Sequence, residues 1–118
     1  MGALVAALAA AACSSGPSEP PPQVPDGNPD RGVELIEQYG CGACHVIPGV
    51  RGADGKVGPP LTDFGERQII AGEVANNPDN LIRWIMDPPS IEPGTAMPNL
   101  QVTEAQARHI AAYLYTLR

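Results

Sequence analysis

Large aromatic side chains are scarce in this chain of 118 residues, because Phe, Trp and Tyr together make up only 4% of it. Phe64 and Trp84 are the single residues of their kind. A small domain with few large side chains has difficulty burying enough surface to be stable. The composition therefore leaves the folded part poor in the large apolar side chains that a small core needs.

Positive charge is also scarce. Seven Lys and Arg residues stand against thirteen Asp and Glu, which gives a net charge of −6 and a pI of about 4.6. The basic residues are scattered along the chain, whereas nucleic-acid binding requires them to be clustered. Nucleic acid is therefore excluded as a partner. The acidic balance favours a partner with a basic docking face, or a mainly apolar contact.

Long apolar runs are missing as well. The run at residues 3–12 has about half of the roughly 20 residues that a membrane-spanning helix needs, so it indicates the hydrophobic part of a signal peptide. Alanines precede Cys13, as in bacterial lipoprotein cleavage sites, where the cysteine is acylated and becomes the new N-terminus. We expect residues 1–13 to be a signal peptide with cleavage before Cys13. Ordinary cleavage, with Cys13 discarded or free, is the alternative.

Residues 14–27 contain five prolines and no apolar periodicity. Such a segment is typical of an extended linker of about 3.1 Å per residue, hence roughly 40 Å of reach. A linker is useful after a membrane anchor and has little use after a discarded leader, which favours acylation of Cys13. The folded domain is expected to occupy residues 28–118.

The stretch Cys41-Gly42-Ala43-Cys44-His45 carries the clearest chemistry. Two cysteines at this spacing can each add across a vinyl group of haem, and the adjacent histidine then becomes an axial ligand of the iron. C-x-x-C-H is the sequence signature of c-type haem attachment. A covalently bound haem would also supply the apolar mass that the composition lacks.

Two other chemistries remain open for this stretch. A dithiol or zinc site would use Cys41 and Cys44, but no second C-x-x-C or His pair completes a tetrahedral zinc shell. A thioredoxin-like protein would place strands around the motif, and no strand-like alternation is present. A haem enzyme or gas sensor with an open distal site is the main alternative to an electron carrier, although no distal His or Arg constellation is evident.

Three helices are predicted from their starting residues. Asn28-Pro29 and Asn77-Pro78 each combine an N-cap with proline at the first helical position, and Thr103 with Gln106 forms a capping box. Gly40 ends the first helix and Pro88-Pro89 the second. The first and last helices carry the apolar stripes Val33, Leu35, Ile36, Tyr39 and Ile110, Tyr113, Leu114, Leu117.

The segments between these helices are rich in glycine and proline. Residues 46–66 are expected to form a loop that wraps the cofactor, residues 67–73 a short helix, and residues 90–102 a further loop. The fold is therefore predicted to be all-α with long loops. Met86, Met97 and His109 are the candidates for a second axial ligand. Met97 is preferred because Pro98 biases it towards extended backbone in a loop, whereas Met86 suits core packing and His109 an exposed position.

From about residue 30 to the end, the chain resembles a class I cytochrome c. The resemblance extends to the cytochrome c domain fused to subunit II of certain bacterial haem-copper oxidases and to related lipoprotein cytochromes. It rests on the motif and on residues in matching order: Gly32, Leu35, Ile36, Gly40, Gly58-Pro59-Pro60-Leu61, Trp84, Asp87-Pro88, Pro93-Gly94, Met97-Pro98 and Ile110 to Leu114.

The resemblance implies three to five helices wrapped around one covalent haem. It implies that the carbonyl of Pro59 accepts a hydrogen bond from His45, which would orient the ring. Arg67 and Trp84 match positions that can contact haem propionates. The alternatives are a solvated surface charge for Arg67 and a buried aromatic for Trp84. A crossing of the first and last helices is expected at Gly32 and Tyr113.

The function implied is that of an electron carrier and not an enzyme, working in a respiratory chain to or within a terminal oxidase. The implied partners are a haem-copper oxidase and an upstream quinol-oxidising complex or cytochrome. The expected location is the periplasmic side of the cytoplasmic membrane, with a lipid anchor. An apolar docking patch is expected near the motif, formed by Val46, Ile47, Pro98 and Leu100.

Overall fold

The structure is a computed structural model that describes residues 1–4, 10–11, 13, 16 and 19–118. Much of the predicted signal-peptide run at residues 3–12 and the start of the predicted linker lie outside the described residues. Cys13 is described and exposed. Within the described ranges, no helix has the length and apolar character needed to cross a membrane.

In the described part of the chain, four α-helices make up most of the regular structure: α1 (Pro29–Tyr39), α2 (Pro78–Met86), α3 (Pro88–Ile91) and α4 (Glu104–Leu114). Single 3₁₀ turns occupy Cys41–Ala43 and Phe64–Glu66, and a two-stranded hairpin joins β1 (Ile69–Ile70) to β2 (Val74–Ala75). The predicted helical fold with long loops is confirmed, with the small hairpin as an addition.

The ends of the long helices follow from their capping residues. The side chains of Asn28 and Asn77 accept backbone N–H groups of the first turns of α1 and α2, as the sequence predicts. Thr103 and Gln106 form the predicted capping box at α4. Gly40 ends α1 in the left-handed conformation, with φ of 71°, which glycine adopts at little cost.

The crossing of α1 and α4 depends on Gly32. A Cβ at this position would lie 2.1 Å from the carbonyl oxygen of His109 and 3.0 Å from Cβ of Tyr113. The predicted crossing is therefore confirmed, and a side chain at Gly32 would force the helices apart. A hydrogen bond of 2.6 Å from the Tyr39 hydroxyl to Oε1 of Gln106 also joins the two helices.

The core lies where α4 contacts both α1 and α2. No charged or polar side chain is buried in it among the described residues. Its buried members are mostly aliphatic, with one residue each of Phe, Trp and Tyr: Leu35, Ile36, Ile47, Val50, Phe64, Ile70, Leu81, Ile82, Trp84, Ile85, Val102, Ala107, Ile110, Ala111, Leu114, Tyr115 and Leu117. The core is aliphatic, as the composition requires.

The short helix expected at residues 67–73 is wrong. This stretch contains β1, which pairs antiparallel with β2 in the register Ile70 to Val74. Ala71 and Gly72 form the turn between them with φ of 52° and 72°, and two successive left-handed residues cannot belong to an α-helix. Pro88-Pro89 ends α2 as predicted but also begins α3, so the predicted loop starts after Ile91.

Residues at the end of the predicted linker contact α4 and the chain's last residue. Arg118 donates a hydrogen bond of 2.6 Å to the carbonyl of Glu19, and Arg108 donates one of 3.3 Å to the carbonyl of Pro25. A Cβ on Gly27 would lie 2.8 Å from Cβ of Ala112. Part of the proline-rich segment is thus held against the domain.

Candidate haem-binding site

The C-x-x-C-H motif forms one compact turn directly after α1. The left-handed Gly40 redirects the chain into the 3₁₀ turn Cys41–Ala43. The carbonyl of Cys41 accepts hydrogen bonds from the backbone N–H groups of Cys44, at 3.2 Å, and His45, at 3.1 Å. Both cysteines and the histidine are half-buried. The two thiols and the imidazole therefore belong to a single turn.

The glycine-rich loop packs its backbone onto this turn. The N–H of Gly55 donates to the carbonyl of Gly42 at 3.1 Å. A Cβ at Gly55 would lie 2.3 Å from the carbonyl oxygen of Ala43, and one at Gly42 would lie 2.6 Å from Cβ of Ala53. Only glycine permits this approach at both positions, so the loop is fixed against the motif by its backbone.

His45 is held on two sides. Its Nδ1 lies 2.7 Å from the carbonyl oxygen of Pro59. A Cβ on Gly58 would lie between 2.3 and 2.9 Å from three atoms of the imidazole ring. Because a carbonyl can only accept, Nδ1 carries the proton and the lone pair is on Nε2. The ring is thus in the tautomer and position of a metal ligand.

The Cys41 thiol lacks the lowered pKa of a redox-active or nucleophilic cysteine. Burial raises the pKa of the Cys41 thiol; a backbone hydrogen bond lowers it by less, and the neighbouring Cys44 adds the smallest contribution, which raises it. Reactive cysteines need a lowered pKa, because the thiolate is the reactive form. No group of three or more His, Cys, Asp or Glu capable of holding a metal ion occurs in the described part of the chain. The dithiol and zinc interpretations gain no support.

The three candidates for a second axial ligand differ in their surroundings. Met97 is half-buried against the core in the loop between α3 and α4, and its N–H donates to the Thr95 hydroxyl at 3.2 Å. Met86 is half-buried at the end of α2. His109 was expected to be exposed, but it is half-buried and its Nδ1 accepts the N–H of Asn28 at 2.9 Å. The Nδ1 lone pair of His109 is therefore occupied by a hydrogen bond to the N-cap residue of α1.

These groups have the chemistry of a c-type haem site. Two thiols lie within a turn of an imidazole whose Nε2 is available, and the two half-buried methionines each offer a soft thioether sulfur. Cys41, Met86 and Met97 pack against the core cluster, which is mostly aliphatic. The residues present thus fit a covalently bound haem.

Residues 29–118 match the family model of cytochrome c. The chain belongs to the cytochrome c family. Covalent haem c is therefore its cofactor, and Cys41 and Cys44 occupy the C-x-x-C-H position. The family assignment also makes the protein a haem electron carrier in the general sense.

Three similar curated proteins are all named cytochrome c oxidase subunit 2. The relative from Alkalihalophilus pseudofirmus is 38% identical over 90 residues, which cover 75% of this cytochrome c and 25% of the relative. Those from Bacillus sp. strain PS3 and Bacillus subtilis are both 36% identical, covering 72% and 65% of this chain and 25% and 23% of the relatives. The chain thus spans about a quarter of the length of these relatives.

Among solved structures, cytochrome c2 from Rhodobacter sphaeroides matches this cytochrome c with a TM-score of 0.52. The match covers 77% of this chain and 96% of that one, at 22% identity. At this identity the likeness shows the fold alone. It confirms the class I cytochrome c fold that the sequence predicts.

Trp84 and Arg67, the two residues matched to propionate contacts, have different surroundings. Trp84 is buried in α2, and its indole N–H is neither fully enclosed nor bonded to an acceptor among the described residues. Arg67 is half-buried, lies 5.6 Å from the ring centroid of Phe64 and donates to the carbonyl of Pro60. Arg67 already has a protein partner, whereas the Trp84 N–H has none within the described ranges.

Two residues that sequence reasoning missed support this region. The Tyr115 hydroxyl donates to Oδ1 of Asn76 at 2.9 Å, and Nδ2 of Asn76 donates to the carbonyls of Phe64, at 3.2 Å, and Arg67, at 2.9 Å. Burial raises the pKa of Tyr115 to about 12. Nothing in the sequence identifies this pair, because Asn76 precedes a cap motif and lies 39 positions from Tyr115.

One residue of the expected docking patch, Ile47, does not lie on the surface. Ile47 is only 2% exposed and belongs to the core. Leu100 is 40% exposed, and Val57, beside the Gly58 that packs on His45, is 73% exposed. Exposed apolar side chains therefore occur near the motif, at Val57, and in the Met97 loop, at the predicted Pro98 and Leu100.

Proposed function

We propose that this cytochrome c is a membrane-tethered carrier of single electrons in a respiratory chain, to or within a terminal oxidase. The observation that carries the proposal is the presentation of His45. Its Nδ1 lies on the carbonyl of Pro59 at 2.7 Å, and its Nε2 is directed by that bond to serve as ligand. A ring oriented in this way suits an iron that changes charge without changing ligands.

Four side chains are assigned to the cofactor. The thiols of Cys41 and Cys44 would form the thioether bonds, while Nε2 of His45 and the sulfur of Met97 would be the axial ligands. When bound, haem c supplies an iron that alternates between the ferrous and ferric states. Met97 as a ligand together with His45 would raise the reduction potential, because the soft sulfur favours the ferrous ion.

The polar edge of the cofactor requires donors. The indole N–H of Trp84 is assigned to a haem propionate, because Trp84 lies in α2 at the position that the resemblance matches to a propionate contact and is largely buried. A guanidinium such as that of Arg67 offers five donors, so its bond to Pro60 leaves others that can reach a propionate. Neither residue takes part in bond making, in keeping with a carrier and not an enzyme.

A lipid on Cys13 is assigned as the membrane anchor, on the outer, periplasmic side of the cytoplasmic membrane. The exposed position of Cys13 suits this modification. Since Glu19 and Pro25 are held by Arg118 and Arg108, the free span from the anchor is shorter than the roughly 40 Å of a fully extended linker. The domain would remain close to the membrane surface.

A haem-copper oxidase is the proposed acceptor, with a quinol-oxidising complex or another cytochrome as donor. The names of the relatives support the acceptor. Exposed Val57 and Leu100 suit the small, weak interfaces of redox partners. The net charge of −6 adds attraction to a basic face on the partner.

Electron transfer tests this proposal directly. Reduced protein is mixed in a stopped-flow instrument with membranes that contain the oxidase, and the absorbance of the haem is followed. We expect rapid oxidation by one electron per haem, slowed by salt, because exposed charges are screened. Slow oxidation by the oxidase together with rapid carbon monoxide binding would favour a haem enzyme or gas sensor with an open distal site.

The anchor requires its own experiment. In the wild type, we expect the haem to sediment with the membrane fraction, and in Cys13→Ser to appear in the soluble fraction with an unchanged spectrum. Mass spectrometry of the wild-type N-terminus should show an acylated Cys13. Equal distribution of the two proteins between the fractions would rule out the lipid anchor and leave the carrier assignment intact.

A further inference from the structure

Pro59 and Pro60 form an exposed pair whose position determines that of His45. Neither proline has a backbone N–H, so the hydrogen bonds of the pair itself are made by its two carbonyls. The flanking N–H groups of Gly58 and Leu61 anchor the loop to the carbonyls of Cys44, at 2.7 Å, and Val46, at 2.8 Å. The Pro59 carbonyl accepts from Nδ1 of His45. The Pro60 carbonyl accepts from the guanidinium of Arg67. Arg67 is thus the side chain that binds the carbonyl of Pro60, next to the proline that orients His45.

The position of Arg67 is itself fixed by contacts with Asn76 and Phe64. Its carbonyl accepts a hydrogen bond of 2.9 Å from Nδ2 of Asn76, which in turn is fixed by the buried Tyr115 hydroxyl at 2.9 Å. Its guanidinium lies 5.6 Å from the ring centroid of Phe64, within the range of a cation–π contact. A continuous series of contacts therefore runs from the core through Arg67 and Pro60 to the residue that orients His45.

We propose that Arg67 is a positioning residue for His45, acting through the carbonyl of Pro60 in addition to any contact with the cofactor. This inference rests on the proposed role of His45 as axial ligand. Both carbonyls are exposed, so water competes for them, and a fixed guanidinium keeps Pro59 facing the imidazole. The Nδ1 bond that results raises the basicity of Nε2.

The test measures the hydrogen-exchange rate of the His45 Nδ1 proton by NMR in the reduced, haem-loaded protein. In Arg67→Met, we expect exchange to be about tenfold faster, because loss of one charge-assisted hydrogen bond allows the Pro59 contact to open more often. Arg31→Met is the matched control, since Arg31 pairs with Glu34 on the surface of α1. It removes the same charge and should leave the rate unchanged.

A second variant removes no charge. Asn76→Ala frees the carbonyl of Arg67 while the guanidinium remains, so exchange should accelerate in the same direction by a smaller factor. Arg67→Lys should restore part of the wild-type rate, because an ammonium can still donate to the carbonyl of Pro60. Two variants with intact charge thereby separate positioning from the electrostatic effect of an arginine near the haem.

The outcomes are distinguishable. Faster exchange in Arg67→Met and Asn76→Ala, with the control unchanged, supports positioning. An exchange rate within twofold of the wild type in Arg67→Met overturns it and leaves a contact with the cofactor as the role of Arg67, whatever happens to the reduction potential. A His45→Ala variant with an unaltered haem spectrum would instead refute His45 as ligand, and the proposed function with it.

Discussion

The two sides of the haem-binding site are built differently. On the His45 side, glycine backbone packs closely against the motif: Gly55 lies against the backbone of the motif turn and Gly58 against the imidazole ring, and neither has room for a methyl group. On the Met97 side, the hydrogen bonds join residues that are close in sequence, such as the bond of 3.2 Å from the N–H of Met97 to the Thr95 hydroxyl. A Cβ on Gly94 would meet nothing within 4 Å.

This difference indicates where the site is rigid and where it can move. Contacts this close resist small displacements, because the backbone of the motif turn and the hydrogen-bonded imidazole of His45 have little room to move aside. A loop held by local bonds opens at lower free energy than the rest of the domain. We therefore expect the histidine side to be the fixed half of the proposed site and the Met97 loop to be the half that opens.

The largest effect is expected from removing the covalently bound haem, which both sides of the site contact. Cys41→Ala with Cys44→Ala should abolish covalent haem and stable folding together, because the cofactor completes a core that is poor in large side chains. Haem stain on a denaturing gel and far-UV circular dichroism report the two losses. Cys13→Ala should keep both the haem and the fold. A folded, haem-free double variant would contradict this account of the core.

The next effect contrasts the sides directly. Gly58→Ala should destabilise the haem-loaded protein by about 3 kcal/mol, because the new methyl group meets the His45 ring at 2.3 Å. Gly94→Ala should change stability by less than about 0.5 kcal/mol, since its Cβ enters open space. Denaturant unfolding gives both values. Equal losses in the two variants would show that the sides are equally packed.

The smallest effect is expected from removing the hydrogen bond between Tyr115 and Asn76, the residue that binds the carbonyl of Arg67. Tyr115→Phe leaves Oδ1 of Asn76 without its donor and should cost about 1 kcal/mol at neutral pH. The contribution of Tyr115 also depends on pH. Burial raises its folded pKa to about 12 from an unfolded value of 10.0, so the stabilisation is complete below pH 10 and is lost as pH rises through 12.

The unfolding free energy of the wild type should therefore fall more steeply above pH 10 than that of Tyr115→Phe. The slope is negative because the unfolded chain loses its proton first and binds fewer protons than the native state. Chemical unfolding at a series of pH values measures it. Parallel curves for the two proteins would mean that the Tyr115 hydroxyl is not the group responsible.

Local sequence patterns predicted the parts of the fold that depend on near neighbours. The caps at Asn28, Asn77 and Thr103 involve residues two or three positions away, so the helix starts followed from residue types alone. The hairpin was missed because two-residue strands are too short to show alternation.

The contacts that the sequence did not reveal are non-local. The pairing of Asn76 with Tyr115 joins positions 39 apart, and His109 meets the backbone of Asn28 across 81 positions. The first pair depends on how α2 packs against α4, and the second on how α1 crosses α4, neither of which a local pattern records. The C-x-x-C-H motif was found from sequence because its chemistry is confined to five consecutive residues.

The most direct test of the central claim is the long-wavelength absorption spectrum of the oxidised protein. The account predicts a methionine-to-iron charge-transfer band in the wild type and in Met86→Ala, and its loss in Met97→Ala. Reduced Met97→Ala should also bind carbon monoxide more readily than the other two, because an axial position is open. A band that persists in Met97→Ala, or that is absent from the wild type, would contradict the assignment of His45 and Met97 as the ligand pair.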